Sequence, residues 1–133
     1  MKDRQMLLGA IALAFMSTAH GQLAGDYADR NLLHGYGTVQ VSVQQTGEDV
    51  SISFYGRYNE SGHAGSQFTA TGKARGTRLA EFEFEDSCGN TGVGAIIRFK
   101  DVLTVSIKAK HIADSNCLVF YQGDMHLKPV AKK

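Results

Sequence analysis

A two-residue alternation of apolar and polar side chains is the feature of this sequence that most limits its possible folds. The runs 39–44 and 50–55 both alternate, with valine, isoleucine or phenylalanine at every second position, and Gly47-Glu48-Asp49 separates them. Successive side chains of a β-strand point to opposite faces, so each run predicts a strand with one buried face. The two runs and their glycine-containing turn together predict a β-hairpin.

The same alternation returns along most of the remaining chain. Further strands are predicted near 23–27, 67–71, 79–85, 95–100 and 103–110, with a final strand formed by 118–121 and 125–127. Glycine-rich stretches at 56–66 and 72–76 predict loops, and 29–35 has room for one helical turn. This pattern predicts an all-β domain of about eight strands, either a small antiparallel up-and-down barrel with a calycin-like layout or a bent β-sandwich.

The predicted inner face contains many large side chains. They are Phe54, Phe68, Phe82, Phe84, Phe99, Phe120, Ile52, Ile97 and Ile107, with alanine at 70, 80, 95 and 109 as the small members. An eight-stranded barrel is just wide enough to be filled by its own side chains or to hold one small ligand. The bulk of this set favours a filled interior.

Charged residues alternate with these apolar ones and are predicted to face outward. They are Glu81, Glu83 and Glu85 on one strand, Arg98 and Lys100 on the next, and Lys108 and Lys110 on the one after. Antiparallel neighbours with this order would place acids opposite bases, and each exposed pair would add a few tenths of a kcal/mol. The charges therefore predict the pairing order of the strands.

The N-terminus has the pattern of a cleavable signal peptide. Two basic residues within the first four positions precede an uncharged apolar run of 11 residues, 6–16, and small residues then offer cleavage after Gly21 or Ala19. The run is shorter than the roughly 20 residues that a transmembrane helix needs. We therefore expect residues 1–21 to be removed and the protein to be periplasmic or secreted, not membrane-spanning.

Residues 22–133 are expected to form a single domain without net charge. The whole chain has 14 basic and 13 acidic residues, and the leader contains two of the first and one of the second. A nucleic-acid-binding domain would normally carry a basic excess, so nucleic acid is disfavoured as a partner.

The two cysteines, Cys88 and Cys117, are expected to form one disulfide, as is usual in an exported chain. The alternative is a free catalytic cysteine with His111 as its base, which an oxidising compartment disfavours. The other histidines have no spacing that would bring three zinc ligands together. No nucleotide-binding or nucleophile-elbow motif is present. The sequence therefore predicts no catalytic residue, no metal and no cofactor.

The 56–66 loop is the best candidate for a binding site. It contains Arg57, Tyr58, Ser61 and His63, and loops on rigid scaffolds often carry function. Tyrosine and arginine are enriched at protein-binding hot spots. The Ser61-Gly62 pair resembles the exposed Ser-Gly loop of bacterial lysozyme inhibitors. The resemblance implies a protein partner in the cell envelope, such as a lysozyme-type hydrolase.

A second hypothesis is that the protein carries a small apolar ligand inside a lipocalin-like barrel. Lipocalins have a Gly-x-Trp signature in their first strand, and this chain has no tryptophan. Gly25-Asp26-Tyr27 is the nearest substitute, with Tyr27 in the aromatic position. An internal void of a few hundred cubic ångströms would favour the carrier.

Overall fold

The computed structural model describes residues 22–130, which form a closed barrel of eight antiparallel strands. The strands are β1 (Gly25–Leu32), β2 (Gly37–Thr46), β3 (Asp49–Tyr58), β4 (Ala64–Arg75), β5 (Leu79–Glu85), β6 (Thr91–Phe99), β7 (Val102–His111) and β8 (Asp124–Pro129). Each strand pairs with the next and β1 pairs with β8, so the sheet formed by residues 25–129 closes on itself. The all-β barrel is confirmed; the predicted signal peptide lies outside the described residues.

The first predicted hairpin is present with the expected register. Val41 lies opposite Phe54 and Val43 opposite Ile52, and all four side chains are buried on the inner face. The strands join through Gly47 and Glu48, and Gly47 has a φ of 61°, which glycine adopts without strain. The alternation therefore predicted both the pairing and the buried face of β2 and β3.

Two ends of the barrel are distinguished below. The loop end has the segments 33–36, 59–63, 86–90 and 112–123, while the terminal end has the turns 47–48, 76–78 and 100–101 together with the first and last described residues. The predicted helical turn is confirmed as a 3-10 helix at Leu33–Gly35. Within residues 22–130 no helix has the length and apolar character needed to cross a membrane.

Aromatic rings fill the interior toward the loop end. The rings of Phe54 and Phe68 stack with centroids 4.9 Å apart, and Phe68 stacks on Phe84 at the same distance. Phe82 lies 6.0 Å from Phe68, and Tyr121 meets the Phe54 ring edge-on at 5.7 Å. Contacts of this kind add to the stability gained from burial. The expectation of a bulky interior is confirmed at these positions.

The predicted inward orientation of Ile97 and Phe99 is wrong. Ile96 is 0% exposed, whereas Ile97 is 46% and Phe99 is 60% exposed. The inner face of β6 contains Gly94, because the Phe82 ring occupies the space that a side chain would need: a Cβ on Gly94 would lie 2.3 Å from Phe82 Cζ. The apolar outer residues of this strand therefore gave a misleading alternation.

Arg98, predicted to face outward, belongs to the inner face at the terminal end. Its Nη1 donates to the Tyr27 hydroxyl at 2.8 Å, and that hydroxyl donates to the Leu23 carbonyl at 2.9 Å. The predicted acid–base pairing of β5 with β6 is consequently wrong. Glu81 lies opposite Ala95, and its ion pair is with Arg75 on β4 at 2.6 Å.

The prediction that 118–121 forms part of the final strand is wrong. Residues 118–120 belong to a second 3-10 helix, Ser115–Phe120, and Tyr121 follows its end. The helix begins where the Asp114 carboxylate accepts a hydrogen bond from the Asn116 amide at 2.9 Å. The loops are also shorter than expected. β3 continues to Tyr58 and β4 runs from Ala64 to Arg75, so the predicted 56–66 loop is reduced to 59–63 and the 72–76 turn moves to 76–78.

Candidate functional site

The second 3-10 helix crosses the loop end and places Phe120 inside the barrel. Phe120 is fully buried, and its ring lies against the backbones of Gly56 and Gly65. A Cβ on Gly65 would come within 1.9 Å of the ring, and one on Gly56 within 2.7 Å. The Tyr58 ring meets Phe120 edge-on at 5.1 Å. The helix therefore closes the barrel interior at the loop end.

A disulfide holds this helix in place. Cys88, in the loop after β5, is bonded to Cys117 in the helix, with the two Cα atoms 6.1 Å apart. Ser87 anchors the same loop to β4: its amide donates to the Gln67 carbonyl at 2.9 Å, and its hydroxyl accepts from the Gln67 amide at 3.1 Å. The predicted disulfide is confirmed.

Asp86 is a buried carboxylate whose oxygens are satisfied by hydrogen bonds. Oδ1 accepts from the amides of Cys88 and Asn90, both at 2.9 Å. Oδ2 accepts from the Asn90 side chain at 3.1 Å and from the Tyr121 hydroxyl at 2.6 Å. Burial, followed by this bond to Asp86, raises the pKa of Tyr121. The phenol therefore remains a neutral donor.

Asn90 completes this buried network. Its Oδ1 accepts from the Ala113 amide at 2.7 Å and the Asp114 amide at 3.0 Å, and its Nδ2 also donates to the Asp114 carbonyl at 2.9 Å. The side chain thus ties the loop after β5 to the segment that leads into the second 3-10 helix. Because its donors and acceptors are all used, the cluster serves the structure of the loop end.

One cluster of metal-ligand types occurs among the described residues, consisting of Asp86, Cys88 and Cys117. Its two sulfur atoms are bonded to each other, and the Asp86 oxygens accept four hydrogen bonds. To bind zinc, these cysteines would have to be thiolates and the Asp86 carboxylate would need free lone pairs. These residues therefore do not fit a metal ion.

Asn59 fixes the 59–63 loop to the neighbouring turn. Its Oδ1 accepts from the hydroxyl of buried Thr38, and its Nδ2 donates to the Gly35 carbonyl at 2.9 Å. Its backbone amide donates to the Tyr36 carbonyl at 2.9 Å. Asn59 was not among the predicted contacts, because its partners lie more than twenty residues away in the chain. An asparagine at the end of a strand was the available signal.

The loop itself is compact. The Tyr58 amide donates to the His63 carbonyl at 3.0 Å, and the Gly62 amide returns to the Tyr58 carbonyl at 2.8 Å. The Ser61 hydroxyl accepts from the His63 amide at 3.2 Å. These bonds close five residues into a defined turn with the Ser61 and His63 side chains exposed.

The four predicted site residues lie together in this loop and at its base. Arg57 is half-buried and its Nη1 lies 3.4 Å from Asn59 Oδ1; Tyr58 is 37% exposed despite its contact with Phe120. Ser61 and His63 lie at the exposed tip and its return. All four therefore lie at the loop end, although Arg57 and Tyr58, as neighbours in β3, point to opposite faces of the sheet.

Sequence reasoning missed Tyr36, the most exposed of the large side chains here. It is 69% exposed and follows the strained turn in which Leu33 and His34 have φ values of 56° and 58°. Such a conformation is rare for a leucine and often marks functional segments. Gly37, the next residue, pairs with Tyr58.

We use the term loop-end surface for Tyr36, Arg57, Tyr58, Ser61 and His63. Two tyrosines and one arginine on a hydrogen-bonded turn offer aromatic contact area, a cation and hydroxyl groups to a flat or grooved partner. Comparison with protein-family models, with curated proteins and with solved structures found no match to this chain.

Proposed function

We propose that this is an exported, non-catalytic binding protein that uses its loop-end surface to bind or inhibit another envelope or secreted protein, such as a lysozyme-type hydrolase. The observation that carries the proposal is the fixed position of the 59–63 loop. Hydrogen bonds of Asn59 hold this loop against the neighbouring turn, while Tyr36 and Tyr58 remain exposed. A loop held in one conformation loses little entropy on binding, which favours affinity.

Export is supported by the covalent bond at this end of the barrel. The Cys88–Cys117 disulfide is of the kind that persists in oxidising compartments such as the periplasm. The non-catalytic reading is supported by the use of Asp86, Asn90 and Tyr121 in a closed hydrogen-bond network, where no polar atom is left to act on a substrate. The exposed groups are those of a contact surface.

The test is inhibition and binding measured against a panel of lysozymes and other cell-wall hydrolases. The protein, expressed from the full chain and recovered from the envelope fraction, is expected to slow at least one of them in a cell-wall lysis assay. Tyr36→Ala and Arg57→Ala should each weaken binding roughly tenfold or more. Arg78→Ala is the matched control for Arg57→Ala, because Arg78 is exposed in the 76–78 turn at the opposite, terminal end of the barrel.

Binding of equal strength by the wild type and by a variant with residues 59–63 scrambled would reject this surface. Absence of binding and inhibition across the panel would reject lysozyme-type hydrolases as partners. Recovery of the wild type solely from the cytosol would reject the export part of the proposal.

The ligand-carrier alternative has less support. The stack of Phe54, Phe68 and Phe84 occupies the interior that a ligand would need. A depression of about 860 Å³ is present, but it is open and lies on the outer face of the barrel, between Lys73 and Lys108. We therefore place binding on the exterior of the molecule.

A further inference from the structure

The outer face of β6 has an apolar stripe at the middle of a charged surface. Its members are Val93, Ala95, Ile97 and Phe99, each two residues after the last, so the stripe extends along most of the strand. Ile97 and Phe99 are substantially exposed. Apolar side chains in such a row are not stabilised by burial in the core, and exposed apolar patches often mark interaction surfaces.

Opposite charges flank this stripe. Val93 lies between Glu83 on β5 and Lys108 on β7 in the strand register. One level toward the loop end, Glu85 lies opposite Thr91, and Lys110 lies at the irregularity in the β6–β7 register next to His111, the partner of Thr91. No ion pair joins any of these four charges to another residue in the range 22–130, and all four are exposed. The acidic and basic columns are thus free to meet another surface.

We infer that the β6 face binds a second copy of this chain. A two-fold axis along β6 brings the two stripes together and exchanges the columns, since it carries the β5 side of one copy over the β7 side of the other. Rotation about this axis leaves each residue at the same position along the strand direction. Glu83 therefore meets Lys108 of the second copy, and the reciprocal pair forms on the other side of the axis, as an isologous dimer requires.

Other pairings of the two faces lack this match. A two-fold axis across the strands would place the glutamates of β5 on the glutamates of the second copy, which is repulsive. Val93 and Ala95 line the open outer depression together with Glu83 and Lys108, so the apolar contact between the two copies comes mainly from Ile97 and Phe99. The charged groups of Arg78 and Lys100 lie 5.9 and 5.5 Å from the Phe99 ring centre. The apolar part of the contact therefore ends at Phe99.

Sedimentation velocity over a concentration series tests the dimer. The wild type is expected to shift from monomer to dimer as concentration rises, and Ile97→Asp should weaken association roughly tenfold or more by burying a charge. The matched control is Ile112→Asp. Ile112 is 55% exposed but lies at the loop end after β7, so this variant should associate as the wild type does.

Charge reversal distinguishes specific pairing from loss of folding. Glu83→Lys places two lysines together across the axis and Lys108→Glu places two glutamates together, so each variant alone should be mainly monomeric. A mixture of E83K with K108E should form a heterodimer, because every contact across the axis again joins opposite charges. High salt should weaken the wild-type dimer.

The inference is overturned if the wild type remains monomeric up to roughly 1 mM, the weak limit of specific association. It is also overturned if the mixed charge variants associate no better than either one alone. Association that Ile97→Asp and Ile112→Asp reduce equally would assign the contact to another surface.

Discussion

At the scale of single residues, the loop end depends on the absence of side chains as much as on their presence. Phe120 enters the barrel because Gly56 and Gly65 leave room for its ring. Tyr58 then rests on that ring, so the exposed edge of the candidate site and the buried floor are in direct contact. A change at either glycine would consequently be transmitted to Tyr58 and the candidate site.

Gly65→Ala tests this close packing. The new methyl group would overlap the Phe120 ring, and overpacking of this kind should lower the free energy of unfolding by about 3 kcal/mol. Gly37→Ala is the control: Gly37 also contacts Phe120, but the nearest atom to its added Cβ is Leu33 Cδ1 at 3.3 Å, so the cost should stay below about 1 kcal/mol. Urea denaturation measures both; equal losses would contradict the account.

At the scale of elements, β6 shows why alternation can mislead. Alternation predicts the buried face correctly when the inward side chains are the larger and more apolar set, as in β2, β3 and β5. In β6 the inner set includes Gly92, Gly94 and Arg98. The β7 backbone at Lys108 fills the space beside Gly92, the Phe82 ring fills the space beside Gly94, and Arg98 is held inward by its bond to the Tyr27 hydroxyl. The outer set is then the more apolar one.

Adjacent isoleucines give a direct test of this reversed face. Ile96→Asp puts a carboxylate in the core and should unfold the domain or cost more than about 4 kcal/mol. Ile97→Asp puts the same group on the outer surface and should change the unfolding free energy by about 0.5 kcal/mol or less. Both are compared by urea denaturation at a dilution where the protein is monomeric; a larger loss for Ile97→Asp would restore the sequence-based orientation.

The barrel, its first hairpin and the disulfide could be predicted from sequence because each depends on local alternation or on residue type. The second 3-10 helix could not, since an apolar run such as 118–120 fits a strand equally well until the disulfide and the Asp114 cap fix its place. Asn59 and Tyr36 gain their roles from contacts between separate loops, which no local pattern contains. Their neighbours Tyr58 and Arg57 were predicted as contacts from residue type alone.

At the scale of the whole molecule, one covalent bond joins the loop after β5 to the segment that closes the barrel. Cys88 and Cys117 are 29 positions apart. Without their bond, the second 3-10 helix would depend on Phe120 and on the Asn90 hydrogen bonds to stay at the loop end.

Removing the disulfide with Cys88→Ala/Cys117→Ala should lower the free energy of unfolding by about 3.5 kcal/mol, a large part of the 5–15 kcal/mol typical of a domain. Hydrogen exchange should increase first in residues 115–121, because the second 3-10 helix is released before the strands. The same two measurements on the wild type in strong reductant provide the comparison for the double variant. An unchanged denaturation midpoint, or uniform exchange across the barrel, would contradict this ordering.

β1 and β8 begin and end beside each other at the terminal end, where the Val130 amide donates to the Asp26 carbonyl at 2.8 Å. Gln22 and Val130, the first and last described residues, therefore lie at the opposite end of the barrel from Tyr36 and Tyr58. Immobilising the protein on a sensor chip or bead through either terminus should present the loops to solution, so the same orientation serves capture of an unknown partner from an envelope extract.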